Sequence, residues 1–339
     1  MSLFGLTFGR RAAVRHAPPV AVAPPAGRWF ERSEAIMGTA IRVELWADDE
    51  REAQSAITAV MDEMHRIDHA MSPHKPDSEL SRINRDAGRG AVELSTEMYG
   101  LLERAQSFSR FSAGAFDITF ASVGSLYDYR AGTAPSASEL DRGRAAIGWQ
   151  QLLLDRATRS VRFGREGMRI DLGGFAKGHA VDNGAAILSA LGVRHAIVTA
   201  GGDSRVIGDR RGRPWSIAIR DPRREDGVVA LLPLEDTAIS TSGDYERYFE
   251  RDGVRCHHLI DPRTGRSPDG VRSVTILAAD GLTAEALSKT VFVLGVERGL
   301  ALLETLDGVD AVVVDARGAL HYSSGLLSGS PHAVDVARQ

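Results

Sequence analysis

The sequence has 339 residues, 43% of them hydrophobic and 25% charged, which is typical of a soluble globular protein with one large or two medium domains. The net charge of −4, without any block of basic residues, excludes the electrostatic footprint of a nucleic-acid-binding protein. No apolar stretch approaches the roughly 20 residues of a membrane span, and the single cysteine, Cys256, excludes an internal disulfide framework.

The first thirty residues are rich in arginine, alanine and proline, which predicts a disordered leader over residues 1–30. No apolar segment follows the pair Arg10-Arg11, and no cysteine follows it to carry a lipid. As written, the chain shows no export route, which corresponds to the cytoplasm, whereas a mis-assigned start codon would hide an export signal; the location is left open. We expect residues 31–330 to form a single domain, with two closely packed lobes as the alternative division.

Helices and strands are predicted in irregular alternation. Residues 51–70 predict a long helix, because apolar residues recur there at intervals of three and four, and we interpret Met61 and Met64 as core residues. The mixture predicts an α+β fold with a largely antiparallel sheet core flanked by helices. The other predicted elements are helices over 78–84, 96–108, 139–147, 175–191, 283–294 and 297–306, and strands over 38–47, 195–199, 215–220, 228–232, 238–241, 256–260, 273–278, 311–315 and 320–323.

The centre of the chain carries a glycine turn between a predicted strand and a helix. An apolar strand is predicted from Met168 to Leu172, and it ends at Gly173-Gly174 just before the next helix. Bare backbone at such a turn allows a ligand to come close, and first-turn N–H groups favour an anion. Asp171 ends the strand, and Lys177, one of only three lysines, lies in the first helical turn. The alternative is a connection without a ligand.

Several common site types are excluded by spacing. The glycine turn fits neither the dinucleotide-binding fingerprint nor the P-loop, and no serine hydrolase motif is present. Cys256, His257 and His258 are adjacent, which is not the spacing of a zinc site. On a strand the two histidines would face opposite ways, so at most one reaches a given pocket. The alternative is that neither has a chemical role.

Two further pairs have both a functional and a structural interpretation. Glu285 and Lys289 lie four residues apart on a predicted helix, so they share a face, and the simplest interpretation is a surface ion pair. Phe116 and Asp117 are equally consistent with a core aromatic residue beside a turn acid.

The chain resembles the FAD:protein FMN transferases of the ApbE type from about Met37 to about Leu327. The resemblance depends on short motifs that occur in the family's order. These are residues 37–39, 71–72 with 76–84, 114–119, 171–182, 201–203, 238–243, 257–265 and 284–288.

The resemblance implies a flavin transferase. Such proteins bind FAD and, with Mg²⁺, move FMN onto a Ser or Thr hydroxyl of a target flavoprotein, with release of AMP. The acceptor flavoprotein is therefore the implied partner, and family members are often periplasmic or anchored to the inner membrane. The implied FAD-contacting residues are Met37, His74, Ala115, Phe116, Asp117, Asp171, Lys177 and Ile260.

The resemblance also implies a catalytic histidine and a metal site. His258 matches the family histidine, and we assign it as the base that accepts the proton of the acceptor hydroxyl. The Gly174 carbonyl is the implied Mg²⁺ ligand, together with positions 285 and 289. Glu285 offers oxygen to Mg²⁺, whereas an ammonium has only donors, so Lys289 is expected to contact the pyrophosphate of FAD or to pair with Glu285.

Two other functions remain open from the sequence. His74 stands where relatives often carry a stacking aromatic residue, and Lys289 departs from the family's metal site. A protein that binds FAD without transfer is therefore one alternative. A metal-assisted FAD pyrophosphatase, in which water is the acceptor and the products are FMN and AMP, is the other.

Overall fold

A computed structural model describes residues 27–224 and 226–327. The first strand begins at Arg28, so the fold starts before the boundary at residue 31 that the sequence predicted. Residues 1–26 of the leader predicted over residues 1–30 lie outside the described residues. None of the helices in the described ranges is long and apolar enough to cross a bilayer.

Helices and strands are mixed along the chain, and every strand pairing is antiparallel within the described ranges, which confirms the predicted α+β class. The helices are α1 (Glu50–Met71), α2 (Glu79–Asp86), α3 (Thr96–Phe111), α4 (Ala121–Gly124), α5 (Ala137–Ala146), α6 (Ala176–Ala190), α7 (Gly281–Leu294), α8 (Val296–Leu303) and α9 (Ser324–Leu327). The strands are β1 (Arg28–Ile36), β2 (Thr39–Ala47), β3 (Val92–Glu93), β4 (Leu152–Asp155), β5 (Ser160–Phe163), β6 (Ala196–Ala200), β7 (Asp203–Ile207), β8 (Trp215–Arg220), β9 (Val228–Leu234), β10 (Ala238–Gly243), β11 (Tyr248–Arg251), β12 (Val254–His257), β13 (Val271–Ala278), β14 (Asp310–Asp315) and β15 (Leu320–Tyr322).

The core is an eight-stranded sheet in the order β1-β2-β6-β7-β10-β13-β14-β15. Helices α1, α6 and α7 cover one face of this sheet, and α6 lies between the other two. Met61 and Met64 of α1 are buried in the main core cluster, as predicted. Asp49 begins α1 by accepting hydrogen bonds from the N–H groups of Arg51 and Glu52.

The other face of the sheet is covered by the hairpin of β8 and β9. Successive side chains of a strand point to opposite faces. Val198 of β6 accordingly packs on the helical side, whereas its neighbour Ile197 packs against the hairpin with Trp215 and Leu232. The sheet is therefore buried on both faces, and the charged groups described below lie where α6 and α7 meet the central strands β7 and β10.

Candidate functional site

The segment before α6 has no regular secondary structure, so the predicted strand over 168–172 is wrong. Its backbone is held by side chains and by another loop. Asn84 pairs with both backbone groups of Ile170, at 2.8 and 2.9 Å, and the N–H of Asp171 donates to the Ile118 carbonyl at 3.0 Å. These bonds fix the position of the glycine turn without a neighbouring strand.

The predicted turn is present, and Asp171 lies at its start. The carboxylate accepts a hydrogen bond from the N–H of Gly173, so the acid closes the turn on itself. Burial raises the pKa of Asp171, although this bond and the nearby His74 and Arg247 oppose the shift. The arrangement gives the turn a fixed shape and brings an acid, a histidine and an arginine together beside it.

The N-terminus of α6 has no side-chain cap, because Phe175 is its N-cap residue. A carboxylate from another helix takes that role. Oε2 of Glu285 on α7 accepts a 2.7 Å hydrogen bond from the N–H of Gly178. Such a contact satisfies a free donor and places negative charge at the positive end of the helix dipole. The anion that the sequence predicted at this helix start is thus, in part, supplied by the protein itself.

Lys177 lies between two buried acids. Its Nζ is 2.5 Å from Oδ2 of Asp203 and also contacts Oε1 of Glu285. Burial would lower the pKa of Lys177, but the two carboxylates outweigh burial and raise it. Asp203 in turn accepts a hydrogen bond from the hydroxyl of Ser240 on β10, and Lys177 lowers its pKa. Helices α6 and α7 and strands β7 and β10 all contribute to this cluster.

Lys289 extends the cluster towards the glycine turn. Its Nζ lies 3.3 Å from Oε1 of Glu285, and the two residues share a helix face, as their spacing predicted. The interpretation as a surface pair is wrong, because the Glu285 side chain is 0% exposed and that of Lys289 is 18% exposed. The stem of Lys289 packs over Gly174. Burial lowers the pKa of Lys289, and the nearby Lys177 adds to that shift.

His257 and His258 have different environments. His257 is buried, and its Nε2 donates to the Pro268 carbonyl at 2.9 Å, so that ring has a packing role. The Nδ1 atoms of both rings are buried without a hydrogen-bond partner among the described residues, so the rings differ in the contact that His257 makes through Nε2. Burial lowers the pKa of His258 to about 3, and Lys289 and Arg247 add to the shift. The imidazole is therefore neutral and lies close to both cations.

The hairpin turn between β1 and β2 lies in the same region, beside Arg247. Its two-residue turn, Met37-Gly38, has positive φ at both positions, 55° and 69°. A Cβ on Gly38 would lie 3.3 Å from Nη2 of Arg247. The exposed His74 lies on another loop, where it is near enough to Asp171 to oppose the rise in pKa that burial causes.

The predicted residues around position 116 lie deeper. Phe116 is buried in the packing beneath the turn, with its ring centroid 5.6 Å from that of Phe175. The Asp117 carboxylate accepts hydrogen bonds from the N–H groups of Thr119 and Trp149, at 2.8 and 3.0 Å, and burial raises its pKa. These contacts match the structural interpretation given above. Ala115 and Ile260 are also buried, and the FAD contacts assigned to all four residues remain predictions.

Three residues in or beside the cluster were not assigned from the sequence. Asp203 and Ser240 both lie within motifs that carried the resemblance, so a signal existed, but nothing local paired them with Lys177. Arg247 lies outside those motifs. Its guanidinium makes no ion pair with any residue in the described ranges, and only the fold brings it to the turn.

Comparisons with known proteins identify the family of the chain. A sequence model of the ApbE family matches residues 37–313. A FAD:protein FMN transferase from Treponema pallidum is 32% identical over 319 residues, covering 88% of this chain and 88% of that protein. A protein of the same name from Vibrio cholerae serotype O1 is 35% identical over 263 residues, covering 76% of this chain and 77% of that protein.

Solved structures have the same architecture. The crystal structure of the ApbE protein from Thermotoga maritima matches with a TM-score of 0.82 at 35% identity, covering 88% of this chain and 98% of that one. Flavin transferase ApbE from Vibrio cholerae matches with a TM-score of 0.79 at 29% identity, covering 89% of this chain and 99% of that one. With sequence and structure both matched over most of its length, the chain belongs to the ApbE family.

Proposed function

We propose that this protein is a flavin transferase, which binds FAD and transfers its FMN portion to a Ser or Thr hydroxyl of an acceptor flavoprotein. The oxygen of the acceptor hydroxyl forms a bond to the phosphorus of the FMN phosphate. The bond from that phosphorus to the AMP phosphate oxygen breaks, and AMP leaves. The relatives named FAD:protein FMN transferase support this reaction, since the chain matches them over most of their length.

One observation carries the proposal. The fold brings the glycine turn, Lys177, Lys289 and His258 to one place from three distant parts of the chain. Two ammonium groups beside an open glycine turn suit the diphosphate of FAD, because its negative charge needs cations and a close backbone approach. In the proposed complex, Asp171 and Lys177 contact FAD, and Met37 and His74 lie by the flavin.

His258 is proposed as the base that accepts the proton of the acceptor hydroxyl. Its low pKa keeps an unprotonated ring nitrogen available at neutral pH. Such an imidazole is a weak base in the free protein, since a base acts best when its pKa is near the working pH. The diphosphate of FAD would offset the charges of Lys289 and Arg247, and so raise the pKa of His258 when the substrate is bound.

The resemblance also implies a Mg²⁺ ion at this site. The side chains that lie there do not fit a divalent cation. Oε1 of Glu285 already contacts both Lys177 and Lys289, and its other oxygen accepts from Gly178. A Mg²⁺ ion bound to Glu285 would therefore lie against two ammonium groups. No step of the transfer is assigned to Mg²⁺.

Residues 31–330 are proposed to act as a single catalytic domain. The support is the central sheet, in which β7 pairs with β10 and thereby joins the half that carries α6 to the half that carries α7. The charged cluster draws on both halves, so a division into separate lobes would divide the site.

The reaction is tested by incubating the full chain with FAD and purified flavoprotein domains that carry candidate Ser or Thr acceptors. We expect one FMN to be added to the acceptor by mass spectrometry, with one AMP released for each transfer. FMN and AMP formed without any acceptor would instead identify a pyrophosphatase. FAD that stays bound and unchanged with every acceptor would identify a binding protein.

A further inference from the structure

Lys289 reaches from α7 to the backbone of the glycine turn. A Cβ built on Gly174 would lie 3.5 Å from both Cγ and Cε of Lys289, which is ordinary van der Waals contact. The aliphatic stem therefore runs along the turn, and the ammonium is held beside it. Because Gly174 has no side chain, nothing on that residue separates the ammonium from a ligand that approaches the turn.

The two lysines of the cluster differ in how fully their hydrogen bonds are used. Lys177 contacts Asp203 at 2.5 Å and makes a second close contact with Glu285. Lys289 has only longer contacts, 3.3 Å to Glu285 and 3.5 Å to the hydroxyl of Ser288. An ammonium has three donors, and N–H···O bonds are usually 2.7–3.2 Å long. Each ammonium makes two contacts among the described residues, but those of Lys289 are longer and weaker, so Lys289 is the freer of the two to donate to a ligand.

The charges of the cluster lead to the same conclusion. Asp203 and Glu285 carry two negative charges, and Lys177 and Lys289 carry two positive charges, so the cluster is neutral before any ligand binds. The two acids therefore leave no uncompensated negative charge to hold a Mg²⁺ ion, whereas the Lys289 ammonium already lies inside the cluster and beside the turn.

We propose that the Lys289 ammonium is the resident cation for the diphosphate of FAD, so that this protein binds FAD and transfers FMN without a divalent metal ion. The inference rests on the proposed function and deepens it. The bonds that form and break are those given above for the transfer, with Lys289 donating to a diphosphate oxygen throughout.

The wild-type protein provides the first test. Full-length protein is treated with EDTA, shown to be free of metal by elemental analysis, and titrated with FAD while flavin fluorescence is followed. The titration is repeated with MgCl₂. We expect the Kd for FAD to change by less than about twofold between the two conditions. Binding that requires MgCl₂ would overturn the inference and leave the proposed function intact.

Two substitutions separate a cation role from a packing role. Lys289→Met keeps an unbranched stem over Gly174 but removes the charge, and thioether sulfur is a poor ligand for Mg²⁺. Lys289→Thr also removes the charge but supplies a hydroxyl oxygen. In EDTA, both variants should bind FAD about tenfold more weakly, the effect of losing one charge-assisted hydrogen bond. With MgCl₂, the affinity should recover in Lys289→Thr and stay weak in Lys289→Met.

Other outcomes distinguish failure of the inference from failure of the proposed function. Wild-type affinity in both variants in EDTA would overturn the role of Lys289. No binding of FAD by wild type in either condition would overturn the inference together with the proposed function. Metal-independent binding without transfer to any acceptor would support the cation role and contradict only the transferase function. Circular dichroism of both variants establishes that each is folded before the titrations are compared.

Discussion

The carboxylate of Glu285 on α7 accepts a 2.7 Å hydrogen bond from the backbone N–H of Gly178 on α6. The two helices come close enough for this bond because neither has a side chain at their crossing. A Cβ on Gly178 would overlap the carbonyl of Gly281 at the start of α7. The position of the charged cluster therefore depends on a glycine as much as on the charges.

We predict that Gly178→Ala separates α6 from α7 and breaks the bond to Glu285. The added methyl group meets backbone, which yields less readily than a side chain, so we expect a loss of about 2–3 kcal/mol in the free energy of unfolding. Urea denaturation measures it. The matched control is Gly100→Ala on α3, where an added Cβ meets nothing within 4 Å. That variant should be as stable as wild type or more stable by up to about 1 kcal/mol. Equal stability of Gly178→Ala and Gly100→Ala would contradict the prediction.

Glu285→Gln should destabilise the protein strongly. The substitution leaves Lys177 and Lys289 with only Asp203 as a counter-charge in a poorly solvated site. Breaking a buried ion pair from one side costs about 3 kcal/mol, because it leaves an uncompensated charge. The unfolding free energy in urea at neutral pH provides the measurement.

The control for Glu285→Gln is Glu31→Gln. Glu31 pairs with Arg42 at 2.7 Å, but its side chain is 56% exposed. A solvated pair of this kind contributes little, so the control should lose less than about 1 kcal/mol. A loss of similar size in both variants would show that the charges near Glu285 are not buried in solution.

The stability of the protein should depend on His258 at mildly acidic pH. Burial, with Lys289 and Arg247, lowers the pKa of His258 to about 3 in the folded state, whereas an unfolded histidine titrates near 6.5. As the pH falls below about 6.5, the unfolded chain therefore binds a proton that the folded chain does not, and stability is lost until the pH reaches about 3. Below about pH 6 this single group contributes a slope of about 1.4 kcal/mol per pH unit.

His258→Gln removes this contribution, so the loss of unfolding free energy between pH 6 and pH 4.5 should be smaller in the variant than in wild type. Urea denaturation at several pH values tests the difference. Parallel pH profiles of the two proteins would show that the ring is solvated in the folded state.

Arg247→Ala should weaken the binding of FAD without unfolding the protein. The arginine is exposed and lies beside Gly38, and its charge acts on both Asp171 and His258. We expect the Kd for FAD to rise about tenfold, which is the effect of losing one charge-assisted contact. Flavin fluorescence in a titration with FAD measures the change.

Arg251→Ala is the matched control for Arg247→Ala. Arg251 lies on the neighbouring strand β11, where its side chain is 60% exposed and 3.8 Å from the carboxylate of Asp252. Its removal changes the net charge equally, but at a distance from the turn. Equal loss of affinity in the two variants would mean that only the overall charge of the surface matters.

The sequence predicted elements well where a repeating pattern extends over many residues. Helix α1 was predicted over 51–70 and is observed at Glu50–Met71, since its apolar periodicity continues through five turns. Strand β1 was missed, because its apolar residues occur in pairs near its two ends and do not alternate, and because it adjoins the arginine- and proline-rich leader. The five apolar-rich residues at 168–172 were too short to distinguish a strand from an extended loop, and their backbone partners lie far away in sequence.

The candidate site was predictable only where its geometry is local. Glu285 and Lys289 contact each other because they are one helical turn apart, and spacing alone gives that result. Nothing local relates Lys177 to Asp203 or to Glu285, since these contacts follow from the pairing of β7 with β10 and from the close crossing of α6 and α7. Burial was also missed, because a charged pair at helical spacing is solvated in most proteins.

The order of the strands also limits when the site is able to form. Strand β7 pairs with β6 just before it and with β10 more than thirty residues later. The acid that binds the start of α6 comes from α7, about a hundred residues further along the chain. During synthesis, the glycine turn and Lys177 are made long before Glu285 and Lys289 exist. A growing chain therefore has neither the cap of α6 nor the second counter-charge of Lys177, Glu285, until α7 has been added. Under the proposed function, FAD is therefore bound only after α7 has been made.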